Sequence, residues 1–260
     1  MHNSQDTQLY HLINNMELHG YGDSWTEGQG TIPNRNEWKN YSWVKELSDK
    51  LKIKSNNNGI SGNSNLNIFN KVVDDLIEGK IKKNDIVVIM WSSSLRDLVP
   101  FLPKKEWVSW SIKHLIEYPH KFVESYQSEN EKYNNFLYSF KELYISDLFN
   151  QNYYNIVNQN YIIFLQKMFE FYEVKHVMCD AFESMVIGLN KYDDKLDIID
   201  KKYYWQFGKK TVRDFLNETN REDIWEHIEN YKDRPTQHPN IDGYKLISDE
   251  LYYFIMKLYY

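Results

Sequence analysis

Cysteine is nearly absent from this chain of 260 residues, in which Cys179 is the single example. A lone cysteine excludes a disulfide framework within the chain, and the apolar neighbours Val177 and Met178 predict a buried strand thiol. Proline and glycine are also sparse, at 6 and 10 residues, and no stretch rich in Pro, Gly or Ser divides the chain. We therefore predict one domain over residues 1–260.

Two further absences concern partners and location. The formal net charge is -6, and the basic residues are scattered among acidic ones, so the basic surface typical of nucleic-acid binding is missing. No apolar stretch reaches the roughly 20 residues that span a bilayer, and residues 1–6 lack the basic and apolar regions of a signal peptide. We expect no nucleic-acid partner, no membrane insertion and a cytoplasmic location.

Several catalytic motifs are missing as well. The chain has no Gly-x-Ser-x-Gly elbow, no P-loop, no Gly-x-Gly-x-x-Gly after a strand and no His-Glu-x-x-His. His114 and His120 have Pro119 between them and do not share a helix face, so they are a poor metal pair. We predict chemistry without a metal or a cofactor.

Apolar periodicity predicts alternating strands and helices. Asp85–Trp91 contains a continuous β-branched run, typical of a parallel strand buried on both faces. The other predicted elements are strands over 16–21 and 174–179 and helices over 43–51, 68–77, 153–172, 211–216, 223–231 and 242–255. This alternation predicts an α/β fold.

Two segments interrupt the alternation. Ser55–Asn65 is predicted as a polar loop. Residues 103–150 are predicted as a helical insertion, with helical patches at Trp107–Glu117 and Tyr133–Phe149. The insertion forms either a lid or substrate wall, or a helical hairpin that only pads the core.

Two short motifs at opposite ends of the chain point to chemistry. Gly22-Asp23-Ser24 follows the first predicted strand, and His238-Pro239-Asn240 precedes the last predicted helix. A serine hydroxyl is a weak nucleophile unless a neighbouring base takes its proton. An exposed serine after a strand and a histidine on a loop together indicate acyl transfer.

The order of these blocks resembles the SGNH/GDSL hydrolase family, whose nucleophile lies in Gly-Asp-Ser near the N-terminus and whose histidine precedes the last helix. The resemblance implies a flavodoxin-like three-layer α/β/α sandwich with a central, mostly parallel sheet. It also implies hydrolysis of esters, often acetyl esters of carbohydrates or acyl esters of lipids. Ser24 then corresponds to the nucleophile and His238 to its base.

The resemblance also implies an oxyanion hole, formed by the backbone N–H groups of Ser24 and Gly62. The family's third block departs here, since Ser92 stands where an asparagine donor is usual, and Asn63 or Asn65 is the alternative donor. We place Asp23 with the substrate-binding residues. Arg96 either binds an acidic group of the substrate or is a solvated charge.

The last block departs as well. The family's acid usually precedes the histidine by three residues, where this chain has Pro235. Asp233 is the candidate that orients His238, and a backbone carbonyl is an alternative. Asp242 fits better as an N-terminal residue of the last helix.

The leading hypothesis is a serine esterase that removes acetyl or another short acyl group from a carbohydrate or similar polar substrate. A second hypothesis is a binding or structural protein on the same scaffold with weak or no catalysis, because both departures touch the site. A third is an acyltransferase that uses the same serine and histidine.

Overall fold

The computed structural model describes residues 16–94, 96–101, 106–111, 131, 135, 138, 139, 143, 150–185, 196–226 and 238–260. The described strands are β1 (Glu17–Gly22), β2 (Lys54–Gly59), β3 (Ile86–Trp91), β4 (Arg96–Phe101), β5 (Glu106–Ser111) and β6 (Lys175–Asp180). Four of them form a central parallel sheet in the order β2-β1-β3-β6, and β4 pairs antiparallel with β5.

Helices cover both faces of the sheet. They are α1 (Ser24–Glu27), α2 (Trp43–Leu51), α3 (Asn65–Ile77), α4 (Gln151–Phe171), α5 (Val212–Glu218) and α6 (Ile241–Tyr259), with short 3-10 segments at Arg35–Tyr41, Lys201–Tyr203 and Glu222–Ile224. Residues of α2, α5 and α6 pack in one apolar cluster, and residues of α3 and α4 pack in another. The α/β fold with three layers and a parallel central sheet is confirmed.

The position of β3 inside the sheet explains why its sequence is apolar throughout. Val88 and Met90 belong to the cluster with α2 and α6, whereas Val87 and Ile89 belong to the cluster with α3 and α4. Successive side chains of a strand point to opposite faces, so a central strand between two helical layers buries every side chain. The three strands expected from such runs, β1, β3 and β6, are confirmed within one or two residues.

The prediction of a polar loop over 55–65 is wrong for its first part, because residues Lys54–Gly59 form the edge strand β2. Its sequence carries no alternation of apolar residues, since asparagine amides bond to neighbouring segments instead. Asn57 Nδ2 donates to the carbonyl of Thr26 at 2.7 Å and to Ser42 Oγ at 2.8 Å. Tertiary hydrogen bonds thus select a strand where propensity favours a loop.

Two predicted helices are also corrected. Part of the patch Trp107–Glu117 lies in β5, whose backbone pairs with β4, and the rest lies outside the described residues. In the described part of the helix predicted over 223–231, Glu222–Ile224 is a 3-10 turn and Trp225 makes a β-bridge with Pro239. Residues 227–231 lie outside the described residues. Most of the insertion predicted over 103–150 lies outside the described residues, and its role stays a prediction.

Cys179 and His176 are buried on β6. The thiol of Cys179 is fully covered, as predicted, and burial raises its pKa well above the usual value. The His176 ring stacks on Phe169 at 4.8 Å and lies 4.3 Å from the Tyr203 ring. Its two nitrogens have no hydrogen-bond partner among the described residues, and burial lowers its pKa to about 4.

We expect His176→Phe to change how stability depends on pH. The pKa of an unfolded histidine is near 6.5. Between pH 6.5 and 4 the unfolded chain therefore binds a proton at His176, whereas the folded chain does not. The stability contributed by neutral His176 is therefore complete above pH 6.5 and is lost as pH falls toward 4. This linkage is worth about 3 kcal/mol, and the phenylalanine variant lacks it.

Urea unfolding of both proteins at pH 7.5 and 4.5 measures the effect. The change in the free energy of unfolding between the two pH values is compared between the variant and the wild type. This comparison is needed because Asp180 also titrates, with a pKa that burial raises to about 7. Its contribution has the opposite sign and is common to both proteins. The variant should gain roughly 2–3 kcal/mol relative to wild type on acidification. A difference that stays constant with pH would contradict the account.

Candidate active site

Ser24 lies where β1 turns into α1, at the carboxyl edge of the sheet. Asp23 caps the helix, and its Oδ1 accepts a hydrogen bond from the backbone N–H of Trp25 at 3.1 Å. The turn is tight, because a Cβ on Gly22 would lie 2.1 Å from Thr26 Oγ1 and 2.8 Å from the carbonyl oxygen of Met90. Glycine is therefore required at the position that aims Ser24.

His238 reaches Ser24 from the other end of the chain. The His238 Nε2 atom lies 3.0 Å from Ser24 Oγ, and His238 Nδ1 lies 3.1 Å from Glu226 Oε1. The His238 and Glu226 side chains are each 15% exposed. These three side chains form a continuous hydrogen-bonded row.

Backbone pairing sets the position of Glu226. Its N–H donates to the carbonyl of His238 at 2.9 Å, and the N–H of Asn240 donates to the carbonyl of Ile224 at the same distance. The N–H of His238 also donates to Glu226 Oε1 at 3.2 Å. This short antiparallel bridge places the carboxylate beside the imidazole.

The row has a definite chemical polarity. A carboxylate only accepts hydrogen bonds, so the proton of neutral His238 belongs on Nδ1, facing Glu226. Nε2 is then left with a lone pair toward Ser24 Oγ. The arrangement can take the proton from a serine hydroxyl and can stabilise the imidazolium that results.

Gly30 lies against His238 and Glu226 and leaves no room there for a side chain. It has a φ of 92°, and a Cβ there would lie 2.7 Å from the Cβ of His238 and 2.9 Å from Glu226 Oε2. We expect Gly30→Ala to displace the histidine and to lower kcat/KM for a p-nitrophenyl ester at least about tenfold. Gly79→Ala is the matched control, since Gly79 has a φ of 70° and a Cβ at that position would have nothing within 4 Å. Equal losses in both variants would contradict this explanation.

The turn Ile60–Asn63 follows β2 beside α1. Gly62 has a φ of 79° and open space around the position of a Cβ. The side-chain amide of Asn63 lies 3.4 Å from the carbonyl oxygen of Gly22, and the N–H of Ser61 donates to Glu27 Oε2 at 2.7 Å. The predicted oxyanion residues therefore lie on a turn that contacts the segment carrying Ser24.

Ser92, Asp23 and Arg96 form a second group. Ser92 Oγ donates to Asp23 Oδ2 at 2.8 Å, and Arg96 Nη1 lies 3.0 Å from the same oxygen. The single hydroxyl hydrogen of Ser92 is thus directed to Asp23 rather than to an oxyanion. Arg96 pairs with a carboxylate of its own chain, which neither sequence-based alternative for it anticipated. Asn65 braces Ser92, because its Oδ1 accepts from the N–H of Ser92 at 2.8 Å.

The sequence suggests Asp233 as the acid that orients His238. Asp233 lies outside the described residues, so that assignment stays a prediction, and among the described residues Glu226 contacts His238 Nδ1. Glu226 precedes His238 by 12 residues, and no local motif marks it. Trp225 directly precedes Glu226, and the apolar spacing predicts that both residues lie in a helix. Asp242 lies in the first turn of α6, as predicted.

Other chemistries find little support among the described residues. In that part of the chain no group of three or more His, Cys, Asp or Glu side chains is arranged to hold a metal ion. The buried thiol of Cys179 is held in its neutral form by its raised pKa, which makes it a poor nucleophile. No helix in the described segments is long and apolar enough to cross a membrane.

Several solved structures match this chain along most of its length. One is a catalytic mutant of an acetylxylan esterase from Geobacillus stearothermophilus, at 14% identity over 93% of this chain and 94% of that chain, with a TM-score of 0.47. A member of the lipolytic protein G-D-S-L family from Veillonella parvula matches at 11% identity, 94% and 98% coverage and a TM-score of 0.43. A psychrotrophic esterase from Pseudoalteromonas matches at 15% identity, 94% and 98% coverage and a TM-score of 0.44.

No protein-family model matches the chain, and no curated protein is significantly similar to it. The function proposed next therefore rests on the chain's own residues.

Proposed function

We propose that this protein is a serine ester hydrolase of the SGNH/GDSL type. The observation that carries the proposal is the hydrogen-bonded row from Ser24 Oγ through His238 to Glu226. Such a row is what a serine needs to become a nucleophile at neutral pH, because the base must be adjacent and its tautomer fixed.

The reaction proceeds in two steps. Ser24 Oγ attacks the ester carbonyl carbon while His238 Nε2 takes its proton, and collapse of the tetrahedral intermediate transfers that proton to the leaving alcohol. A water molecule, deprotonated by the same nitrogen, then attacks the acyl-serine, and His238 returns that proton to Ser24 Oγ as the acyl–oxygen bond breaks and the acid is released. Glu226 keeps the imidazole oriented and stabilises its charged form in both steps.

The oxyanion hole is assigned to backbone N–H groups. We place the N–H of Ser24, at the start of α1, and the N–H of Gly62 on the carbonyl oxygen of the substrate, with the amide of Asn63 as a third donor. Donors of this kind act when negative charge develops, and loss of one typically costs about 10²–10³ in rate. Ser92 is removed from this role because its hydroxyl serves Asp23.

The presence of Glu226 bears on the choice between enzyme and binding protein. The binding-protein hypothesis rests on two departures from the family pattern, at Ser92 and near Pro235, and the second would leave His238 without an orienting group. Glu226 lies 3.1 Å from His238 Nδ1, so that second departure concerns only where in the sequence the acid comes from. This supports catalysis over a binding role.

The substrate we propose is an ester of acetate or another short acid with a carbohydrate or similar polar alcohol. Two observations favour a short acyl group: Ser24 is only 7% exposed, and the ring of Trp25 beside it is buried. The Trp25 ring packs edge-on against Phe182 at 4.9 Å and Trp225 at 6.0 Å. Ser24 therefore has little open surface around it, and the aromatic residue that follows it is fixed in the core.

Initial rates on p-nitrophenyl esters of increasing chain length test the proposal. We expect kcat/KM for the acetate to exceed that for the octanoate at least about tenfold, because a long acyl chain needs more open space than the 7% exposure of Ser24 indicates. Equal or higher rates on the octanoate would contradict the assignment to short acyl groups. Absence of turnover on every ester by folded protein would contradict the esterase itself. Addition of a saccharide acceptor distinguishes the acyltransferase alternative, which would form acyl-saccharide in preference to free acid.

A further inference from the structure

Arg96 joins three segments of the candidate site through one nitrogen atom. Its Nη1 lies 3.0 Å from Asp23 Oδ2, 3.2 Å from the carbonyl oxygen of Asn63 and 2.9 Å from Ser92 Oγ. Asp23 directly precedes the serine, Asn63 belongs to the Gly62 turn, and Ser92 follows β3. One guanidinium therefore holds together the loops that surround Ser24.

Asp23 and Arg96 form an ion pair directly beside Ser24. The Asp23 side chain has no exposed surface, whereas that of Arg96 is 21% exposed. A buried carboxylate next to the nucleophile would oppose the negative charge that develops on an ester carbonyl oxygen, because like charges repel strongly where water is excluded. Arg96 places a permanent positive charge against that carboxylate.

We propose that Arg96 is a positioning residue, which neutralises Asp23 and fixes the Gly62–Asn63 turn so that the oxyanion hole is ready before the substrate binds. The inference rests on the esterase function proposed above. It assigns Arg96 to the protein's own electrostatic balance instead of to an acidic group of the substrate. Its effect should therefore appear in kcat, when charge develops, and not in KM.

A double-mutant cycle tests the proposal with p-nitrophenyl acetate as the substrate. We expect Arg96→Met to lower kcat at least about 30-fold and to leave KM within about threefold of wild type. Asp23→Asn removes the charge and keeps one side-chain oxygen, which can still accept the capping hydrogen bond from the N–H of Trp25. Its amide nitrogen only donates, so the hydrogen bonds that Ser92 and Arg96 give to Oδ2 are removed together with the charge. In that background Arg96→Met should lower kcat by no more than about tenfold, clearly less than in the wild type, because no carboxylate is left to neutralise and only the hydrogen bond to the Asn63 carbonyl is lost.

Arg221→Met is the matched control, since it removes an arginine whose partner, Asp223, is exposed. It should keep the wild-type kcat. The proposal is overturned if Arg96→Met costs as much in the Asp23→Asn background as in the wild type, or if it raises only KM, as loss of a substrate contact would. Should Arg96→Met alone fail to fold, the double variant compared with Asp23→Asn decides the question.

Failure of the esterase proposal has a different signature. A folded wild type without ester turnover would overturn the proposed function and this inference with it. An active wild type in which Arg96 and Asp23 show no coupling would overturn only the inference.

Discussion

We expect Ser24→Ala to lower kcat for p-nitrophenyl acetate at least about 10⁴-fold, because no other group in the proposed catalytic row could form the acyl intermediate. His238 Nε2 loses its hydrogen-bond partner at 3.0 Å, and only binding and the oxyanion donors remain to assist water. The fold is retained, since the hydroxyl is lost at the edge of a capped turn. Steady-state kinetics together with the circular dichroism spectrum measure both expectations.

Ser48→Ala is the control for this variant. Ser48 is also buried, and its hydroxyl donates to the carbonyl of Lys45 within α2. Its loss should leave kcat within about twofold of wild type, since most substitutions away from a site act on stability alone. If Ser24→Ala retained a rate similar to that of Ser48→Ala, Ser24 would not be the nucleophile.

Glu226→Gln is expected to cause the second largest loss, about 10²–10⁴-fold in kcat. The amide of glutamine can donate to His238 Nδ1, which would favour the tautomer with its proton on Nε2. That nitrogen could then no longer accept the proton of Ser24, and the charge that stabilises the imidazolium would be gone as well. KM should change little, because Glu226 acts through His238 and not on the substrate.

Asp233→Asn provides the comparison, because Asp233 is the acid that the sequence suggested. We expect this variant to keep kcat within about threefold of wild type. Kinetics of the two variants side by side separate the candidates without further structure. A large loss in Asp233→Asn together with a nearly active Glu226→Gln would assign the acid to Asp233 and refute the role given to Glu226.

The contact between Glu226 and His238 could not be predicted from the sequence. The serine and histidine could be predicted because each lies in a short motif beside a recognisable element, β1 or α6. The carboxylate beside His238 is brought there by the bridge between Trp225 and Pro239, which is a tertiary contact. Spacing along the chain carries no trace of that pairing.

The same distinction applies to the fold. Central strands such as β3 reveal themselves because burial on two faces demands apolar residues throughout. The edge strand β2 has one neighbour and is held partly by asparagine side chains, so its sequence is that of a loop. Similarly, nothing local indicated that Arg96 would pair with Asp23, 73 residues earlier.

The most direct test of an activated Ser24 is the intact mass of the protein after treatment with a fluorophosphonate, measured for wild type, Ser24→Ala, His238→Ala and Glu226→Gln. Our account predicts one adduct on wild type, located on Ser24 by peptide mapping, none on Ser24→Ala, and much slower labelling of the other two variants. Folded wild type that takes no adduct, or an adduct that persists in Ser24→Ala, would contradict it.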